Sequence, residues 1–296
     1  MYFCIKAKVD RLILIKYANI IKMKKFDFSL LFVITILLLS CEKSVEDPAQ
    51  MLLAKAKEQY AINDYNRVKM YIDSISVAYP KAYKTRREAE LLRREVMLKE
   101  KQRDVEYFTN VYNTLVQRRD SLVTGFVFTK EGQYQDIGNY TVASQALVLN
   151  QFNSFLRASV REDGDAYLAS YYRGAKIAHK TLKVSTDDGF VICEKPMLSR
   201  SYWNYGVYNE RREFRYGADD GLMDFIASST TPLKVQLIGD IGKFEYVLRA
   251  EDVVAVKRII EFSNLLKTLE EAHTMLDEAQ RSLDFLIKSQ QRSQNN

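Results

Sequence analysis

The chain has 296 residues, with 44 basic and 38 acidic side chains, three cysteines and two histidines. That length holds one large domain or two modest ones, at about 100–200 residues each. So few histidines and cysteines argue against a zinc site, which takes about four such ligands. No pair among Cys4, Cys41 and Cys193 has the spacing of a disulfide framework.

The net charge of +6 is local. Residues 1–40 hold seven of the basic residues but only Asp10 and Asp27 among the acidic ones, so the remainder carries 37 against 36. A nearly neutral remainder does not suit a nucleic-acid partner, which needs a basic footprint. From Met23 the chain reads MKKFDFSLLFVITILLLSC, a basic pair followed by an apolar block that ends at Cys41. The block is short of the ~20 residues of a membrane span and suits a secretory leader, whose apolar region runs about 7–15 residues. The true start is therefore expected at Met23, with residues 1–40 removed as a signal peptide.

Leu38-Leu39-Ser40-Cys41 resembles the bacterial lipobox. The resemblance implies a diacylglycerol thioether on Cys41, cleavage just before it, and an acylated (palmitate-type) amino terminus, enough acyl chains for stable anchoring. Residues 41–47 then form a polar leash, and Glu42, Glu46 and Asp47 are similar to the acidic stretch of surface-exposed Bacteroidota lipoproteins. The expectation is an outer-membrane-anchored lipoprotein of the cell envelope, facing the periplasm or the cell surface.

Residues 48–80 predict a helical hairpin. Pro48 suits a helix start, Leu52, Leu53, Ala56 and Tyr60 mark one apolar face, and Val68, Ile72 and Ile75 mark another after a break at Asn63-Asp64. Tyr60, the turn at 63–65 and Pro80 resemble a single tetratricopeptide unit with a turn one residue short. Repeat units of this kind need about three copies to make a core, so the hairpin is expected to pack on a neighbouring helix. Residues 82–123 follow as a long helix, with Leu91, Leu98, Val105 and Tyr112 seven apart and Phe108, Leu115 and Leu122 at the offset position. Residues 251–290 repeat the pattern: Ala255, Phe262, Leu269, Leu276 and Leu283, with Leu265, Ala272, Ala279 and Leu286. An antiparallel coiled-coil stalk that brackets the middle of the chain is the economical reading; a homo-oligomer through the same helices is the rival. His273 lies beside this seam.

Residues 124–250 change period. Leu233, Val235 and Leu237 alternate with Lys234 and Gln236; Phe244, Tyr246 and Leu248 alternate likewise; Leu156, Ala158 and Val160 alternate with Arg157, Ser159 and Arg161. Period two predicts a mostly antiparallel β head with one solvated face. Asp163-Gly164, Asp188-Gly189 and Asp220-Gly221 predict type I′ hairpin turns, and none has the spaced carboxylates of a calcium loop. A short helix is expected around GLMDFIASS. The fold class is therefore α+β.

Chemistry is sparse. The chain contains no nucleophile elbow, phosphate loop, dinucleotide fingerprint, HExxH or CxxC. Cys193 reads as a buried strand thiol, and His179 as structural or exposed. No catalytic residue, cofactor or metal ligand is expected. The unusual segment is SYWNYGVYNERREFRYG, with Tyr202, Trp203, Tyr205, Tyr208, Arg211, Arg212 and Arg215 as a possible binding surface, aromatic and Arg side chains being enriched at binding hot spots. The same rings could equally be core with hydroxyls at the rim. The expected function is a non-enzymatic binding or scaffold lipoprotein that acts by protein contact; the alternative is a glycan- or ligand-binding lipoprotein using residues 202–216.

Overall fold

The computed structural model describes residues 45–130, 132, 136–146, 150 and 152–294. Cys41 and the whole leader therefore lie outside the described residues. The fold is α+β, with long helices and antiparallel sheets. The chain divides into two compact units between Glu100 and Lys101.

The first unit, over residues 45–100, is helical. Helices α1 (Glu46–Ala61) and α2 (Tyr65–Ala78) form a hairpin that packs on the opening turns of α3 (Tyr83–Val123). Asn63 turns the chain at positive φ, and Asp64 caps α2 by accepting the Arg67 N–H at 3.1 Å. Ala49, Leu53 and Ala56 of α1 meet Val68, Ile72 and Ile75 of α2, and Ala89, Leu92 and Val96 of α3 close the cluster. Glu46 and Asp47, expected to belong to a polar leash over 41–47, are instead the first residues of α1, and residues 41–44 lie outside the described residues. The Glu46 carboxylate also accepts the Thr85 hydroxyl at 2.6 Å and the N–H groups of Lys84 and Thr85 at the start of α3. The Thr85 hydroxyl bond is the main reason that this carboxyl is held below its ordinary value.

The start of the α3 seam differs from expectation. Leu91 is 53% exposed, and its neighbour Leu92 is buried. A two-helix hairpin covers the stripe through Thr85, Ala89, Leu92 and Val96, spaced four, three and four, and this stripe passes beside Leu91.

The second unit holds two antiparallel sheets. Strands β1 (Phe126–Thr129), β2 (Asn139–Val142), β3 (Phe155–Arg161), β4 (Ala166–Gly174), β7 (Leu198–Asn204) and β8 (Val207–Arg215) form one, in the order β1-β2-β3-β4-β8-β7. Strands β5 (His179–Ser185), β6 (Phe190–Cys193), β9 (Lys234–Gly239) and β10 (Lys243–Val247) form the other, in the order β10-β9-β5-β6. A short helix α4 (Leu222–Ser228) and the long helix α5 (Ala250–Gln294) complete the unit.

Alternation decides what is inside. Leu156, Ala158 and Val160 of β3 and Leu168 and Phe214 of β4 and β8 face a core shared with Leu182, Val184, Val235 and Leu237 of the second sheet. Helix α5 lies in the same core through Ala255, Val256, Ile259 and Phe262, with Phe262 stacked on Phe126 at 4.7 Å and edge-on to Tyr140 at 5.2 Å. The expected boundary at residue 250 therefore does not separate a head from a helix. The fully buried Gln145 ties the layers together: it donates to Leu156 O and Asp252 Oδ1 and accepts the Ala158 N–H. Beyond the sheets, α3 and α5 run antiparallel. Arg118 pairs with Glu261 at 3.0 Å, the Tyr112 ring lies 5.5 Å from that of His273, and Phe108 shares a groove with Met275 and Ala279.

None of the three Asp-Gly pairs makes a type I′ hairpin. Asp163-Gly164 and Asp188-Gly189 connect adjacent strands, but Asp163, Asp188 and Gly189 do not have positive φ; Asp220 and Gly221 both do, and they lead into α4 instead. The two-residue hairpin loop is Tyr205-Gly206, with φ of +48° and +76° between the paired residues Asn204 and Val207.

Candidate functional site: the outer face of the six-stranded sheet

Side chains of directly paired residues lie on the same face of a sheet. The register thus assembles rows across four strands. Phe155 pairs with Tyr171, Tyr171 with Arg211, and Arg211 with Arg200. In the adjacent row Arg173 and Tyr202 both pair with Asn209. These rows lie opposite to Leu156, Leu168 and Phe214, on the face turned away from the core.

The rows interlock. The Phe155 and Tyr171 rings stack at 4.9 Å and 9°, and the Arg157 and Arg211 guanidinium carbons lie 5.0 and 5.3 Å from the Tyr171 centroid. A cation over an aromatic face is attracted by the ring quadrupole. Arg211 also pairs with Glu213 on the same strand. Long side chains lying flat explain why Ser159 and Ala169 beneath them are fully buried, although alternation predicts Ser159 as solvated. Burial pushes the Tyr171 phenol up, partly offset by the two arginines. Its hydroxyl and the Arg211 Nε are buried without a hydrogen-bond partner among the described residues. A cleft of about 350 Å³ opens over this end of the sheet, lined by Phe155, Tyr171, Arg173, Arg200, Tyr202 and Arg211 together with four asparagines.

The segment 202–216 is split by strand parity. Tyr202, Arg211 and Arg215 belong to the outer face, where Tyr202 is 51% exposed and Arg215 pairs with Asp165 at 2.6 Å. Trp203 and Tyr208 lie opposite each other on the other face, edge-to-face at 5.2 Å, and Trp203 is 70% exposed. Tyr205 stands in the hairpin loop, 95% exposed. Arg212 is a correction: it is buried, and its guanidinium donates to His179 O at 2.6 Å and Arg200 O at 2.8 Å. Its position in β8 points it inward, between the sheets. Sequence reasoning missed Phe155, Tyr171, Arg173 and Arg200 as partners of this segment. Alternation marks the face of each, but Phe155, Tyr171 and Arg173 come from two other strands, β3 and β4, and strand order is not a local property; Arg200 lies in β7, two residues before Tyr202.

Beneath the cleft lies a polar node. Glu210 accepts N–H groups from Ile177, Ala178 and His179 at 2.7–3.0 Å. His179 Nδ1–H donates to Glu210 Oε2 at 2.7 Å, and the Ser170 hydroxyl donates to His179 Nε2 at 2.9 Å. Burial pushes the imidazole below its ordinary value, the Glu210 bond opposes this, and Arg212 pushes it further down, so His179 is neutral. Burial works to raise Glu210, but its four hydrogen bonds outweigh this and hold it low. The order Ser–His–carboxylate has the connectivity of a nucleophilic triad. Ser170, His179 and Glu210 are nevertheless all at most 1% exposed, and the Ser170 hydroxyl sits in mid-strand between regular pairings. Its geometric role is to join the two sheets. Cys193 is also fully buried, and burial pushes its thiol up.

Among the described residues no group of three or more His, Cys, Asp or Glu could hold a metal ion, and no helix is long and apolar enough to cross a membrane. No family model matches the chain, and neither curated proteins nor solved structures provide a match.

Proposed function

We propose that this chain is a membrane-anchored envelope lipoprotein, acylated at Cys41, whose β-rich head binds a ligand without catalysis. The observation that carries the binding reading is the cleft at the β7–β8 end of the outer face, with the exposed Tyr202 ring at its margin. Concave sites with a few convergent polar groups are the usual form of a ligand site. The antiparallel α3–α5 pair supports a coiled-coil stalk that carries the head away from the membrane. The short polar stretch before α1 serves as the leash.

The non-enzymatic reading is supported by burial. The nucleophile candidates Cys193 and Ser170 are both inaccessible as folded. A second reading, contact with a protein partner, is favoured by Trp203 and Tyr205 on the projecting hairpin, since these types dominate interface hot spots.

Two experiments test the proposal. Metabolic labelling with a palmitate analogue should acylate the wild-type protein and not Cys41→Ala; an acylated Cys41→Ala protein would refute the anchor. The joint Tyr202→Ala, Trp203→Ala, Tyr205→Ala variant should fold normally and lose retention on immobilised cell-envelope glycans. Retention unchanged in the folded variant, with loss of a crosslinked protein partner, would favour the second reading.

A further inference from the structure

The cleft has a charge that the proposed function leaves unused. Arg173 and Arg200 line it, and neither guanidinium has an acidic partner among the described residues. Arg157, behind Tyr171, likewise has none. Arg211 has Glu213 as its partner, and the one carboxylate lining the cleft, Glu210, is committed to three backbone N–H groups and to His179. The site therefore has an excess of positive charge in a chain that is nearly neutral after residue 40. Guanidinium forks bind oxyanions through paired N–H donors, with geometric specificity.

The rest of the lining is suited to hydroxyls. The Asn150 amide donates to Ser144 O and Ala146 O, and the Asn209 amide donates to Val207 O, which leaves the Asn209 oxygen as an acceptor among the described residues. Asn153 and Asn204, both exposed, have donor and acceptor free among the described residues. Tyr202 supplies a flat exposed ring at the rim, of the kind that stacks on a sugar. About 350 Å³ is near the lower end of the range for small-ligand clefts, about 300–1,000 Å³.

We propose that this cleft binds an oxyanion-bearing oligosaccharide, with Arg173 and Arg200 holding the acidic group and the asparagines and Tyr202 holding the ring. The inference rests on the ligand-binding reading above and adds the ligand's charge and class. The acidic group is a ring carboxylate or a sulfate ester, which present the same oxyanion chemistry to the arginines.

The test is calorimetric titration of the full chain in detergent with four probes: tetragalacturonate, a sulfated tetrasaccharide, a neutral tetrasaccharide and a hexaglutamate peptide. At least one charged sugar should bind on the order of tenfold more tightly than the neutral one and the peptide, and which one identifies the oxyanion. Rising salt should weaken that binding. Arg173→Gln with Arg200→Gln should remove the preference for the charged sugar while weak binding of the neutral one persists. Arg215→Gln, whose side chain is paired with Asp165 and does not line the cleft, should leave the preference intact. Equal binding of the neutral sugar, or tighter binding of the peptide, would overturn this inference and leave ligand binding standing. Binding of none of the four at millimolar concentration would overturn both.

Discussion

The two faces of the six-stranded sheet are made from alternate residues of the same strands, and they differ in almost every respect. The inner face carries Leu156, Val160, Leu168 and Phe214, all fully buried against α5 and the second sheet. The outer face carries Arg157, Tyr171, Arg173, Arg200 and Arg211; Arg157 and Arg211 pack on the Tyr171 ring within the sheet, and Arg173 lies over the Phe152 ring outside it. On the inner face burial supplies stability, at roughly 25 cal/mol per Å² of apolar surface. On the outer face, ring stacking and cation–π contacts order the side chains, with no second sheet or helix packed over them among the described residues. A face organised in this way, with unpaired charge, is suited to contact with something outside the chain.

Mutations should separate the two faces sharply. The largest effect is expected at the centre of the core: Phe262→Ala removes a ring in contact with Phe126 and Tyr140 and should cost about 3–5 kcal/mol in chemical denaturation. A loss below about 1 kcal/mol would mean that α5 is not integral to the head core. Glu210→Ala comes next. It strands three backbone N–H groups and leaves Arg212 without its nearest carboxylate, for an expected loss of about 3 kcal/mol.

The polar node also predicts a pH dependence. His179 has a folded value below its ordinary 6.5, and Glu210 one below its ordinary 4.5. For both groups the unfolded chain takes up protons before the folded one does on acidification. Their contribution is therefore complete above the unfolded values and declines as pH falls, first below about 6.5 and then below about 4.5. The melting temperature should fall between about pH 7 and about pH 5.5, and His179→Gln should flatten that part of the curve. A wild-type melting temperature that is constant over this interval would contradict a neutral, buried His179.

The smallest effects belong to the outer face. Arg173→Gln and Arg200→Gln should each change stability by no more than about 0.5 kcal/mol while altering ligand binding. A loss of several kcal/mol at either position would make these arginines structural and remove the contrast between the faces. The first unit offers a parallel control in adjacent residues. Leu92→Ala should cost about 2–5 kcal/mol, and Leu91→Ala at most about 0.5 kcal/mol, because only Leu92 faces the hairpin.

Much of the framework is legible locally. Period two marks Leu233, Val235 and Leu237 as buried, and they are; the helical stripes through Leu53 and Ala56 and through Ile72 and Ile75 likewise identify the hairpin's contact faces. The candidate site is legible only in part. The aromatic and arginine run at 202–216 stands out by composition, but composition cannot separate Arg211 from Arg212. Their opposite fates follow from a one-residue step in β8, which turns Arg211 to the cleft and Arg212 to His179. The turn chemistry misled for a related reason. Asp-Gly tolerates several turn geometries, and flanking strand pairing selects among them, so Tyr205-Gly206 takes the conformation expected of Asp-Gly.

By itself the sequence determined the α+β class, the extent of the long helices, and which residues of each strand share a face, because these depend on backbone periodicities of two and 3.6 that neighbouring residues set. The tertiary structure decided which strands stand side by side, and hence that Phe155, Tyr171, Arg211 and Arg200 form one row. It also decided that one face of β3, β4 and β8 meets a core while the other carries the cleft. Both outcomes depend on pairing and burial between segments tens of residues apart. The free energy of those contacts belongs to the assembled sheet and not to any single stretch of chain.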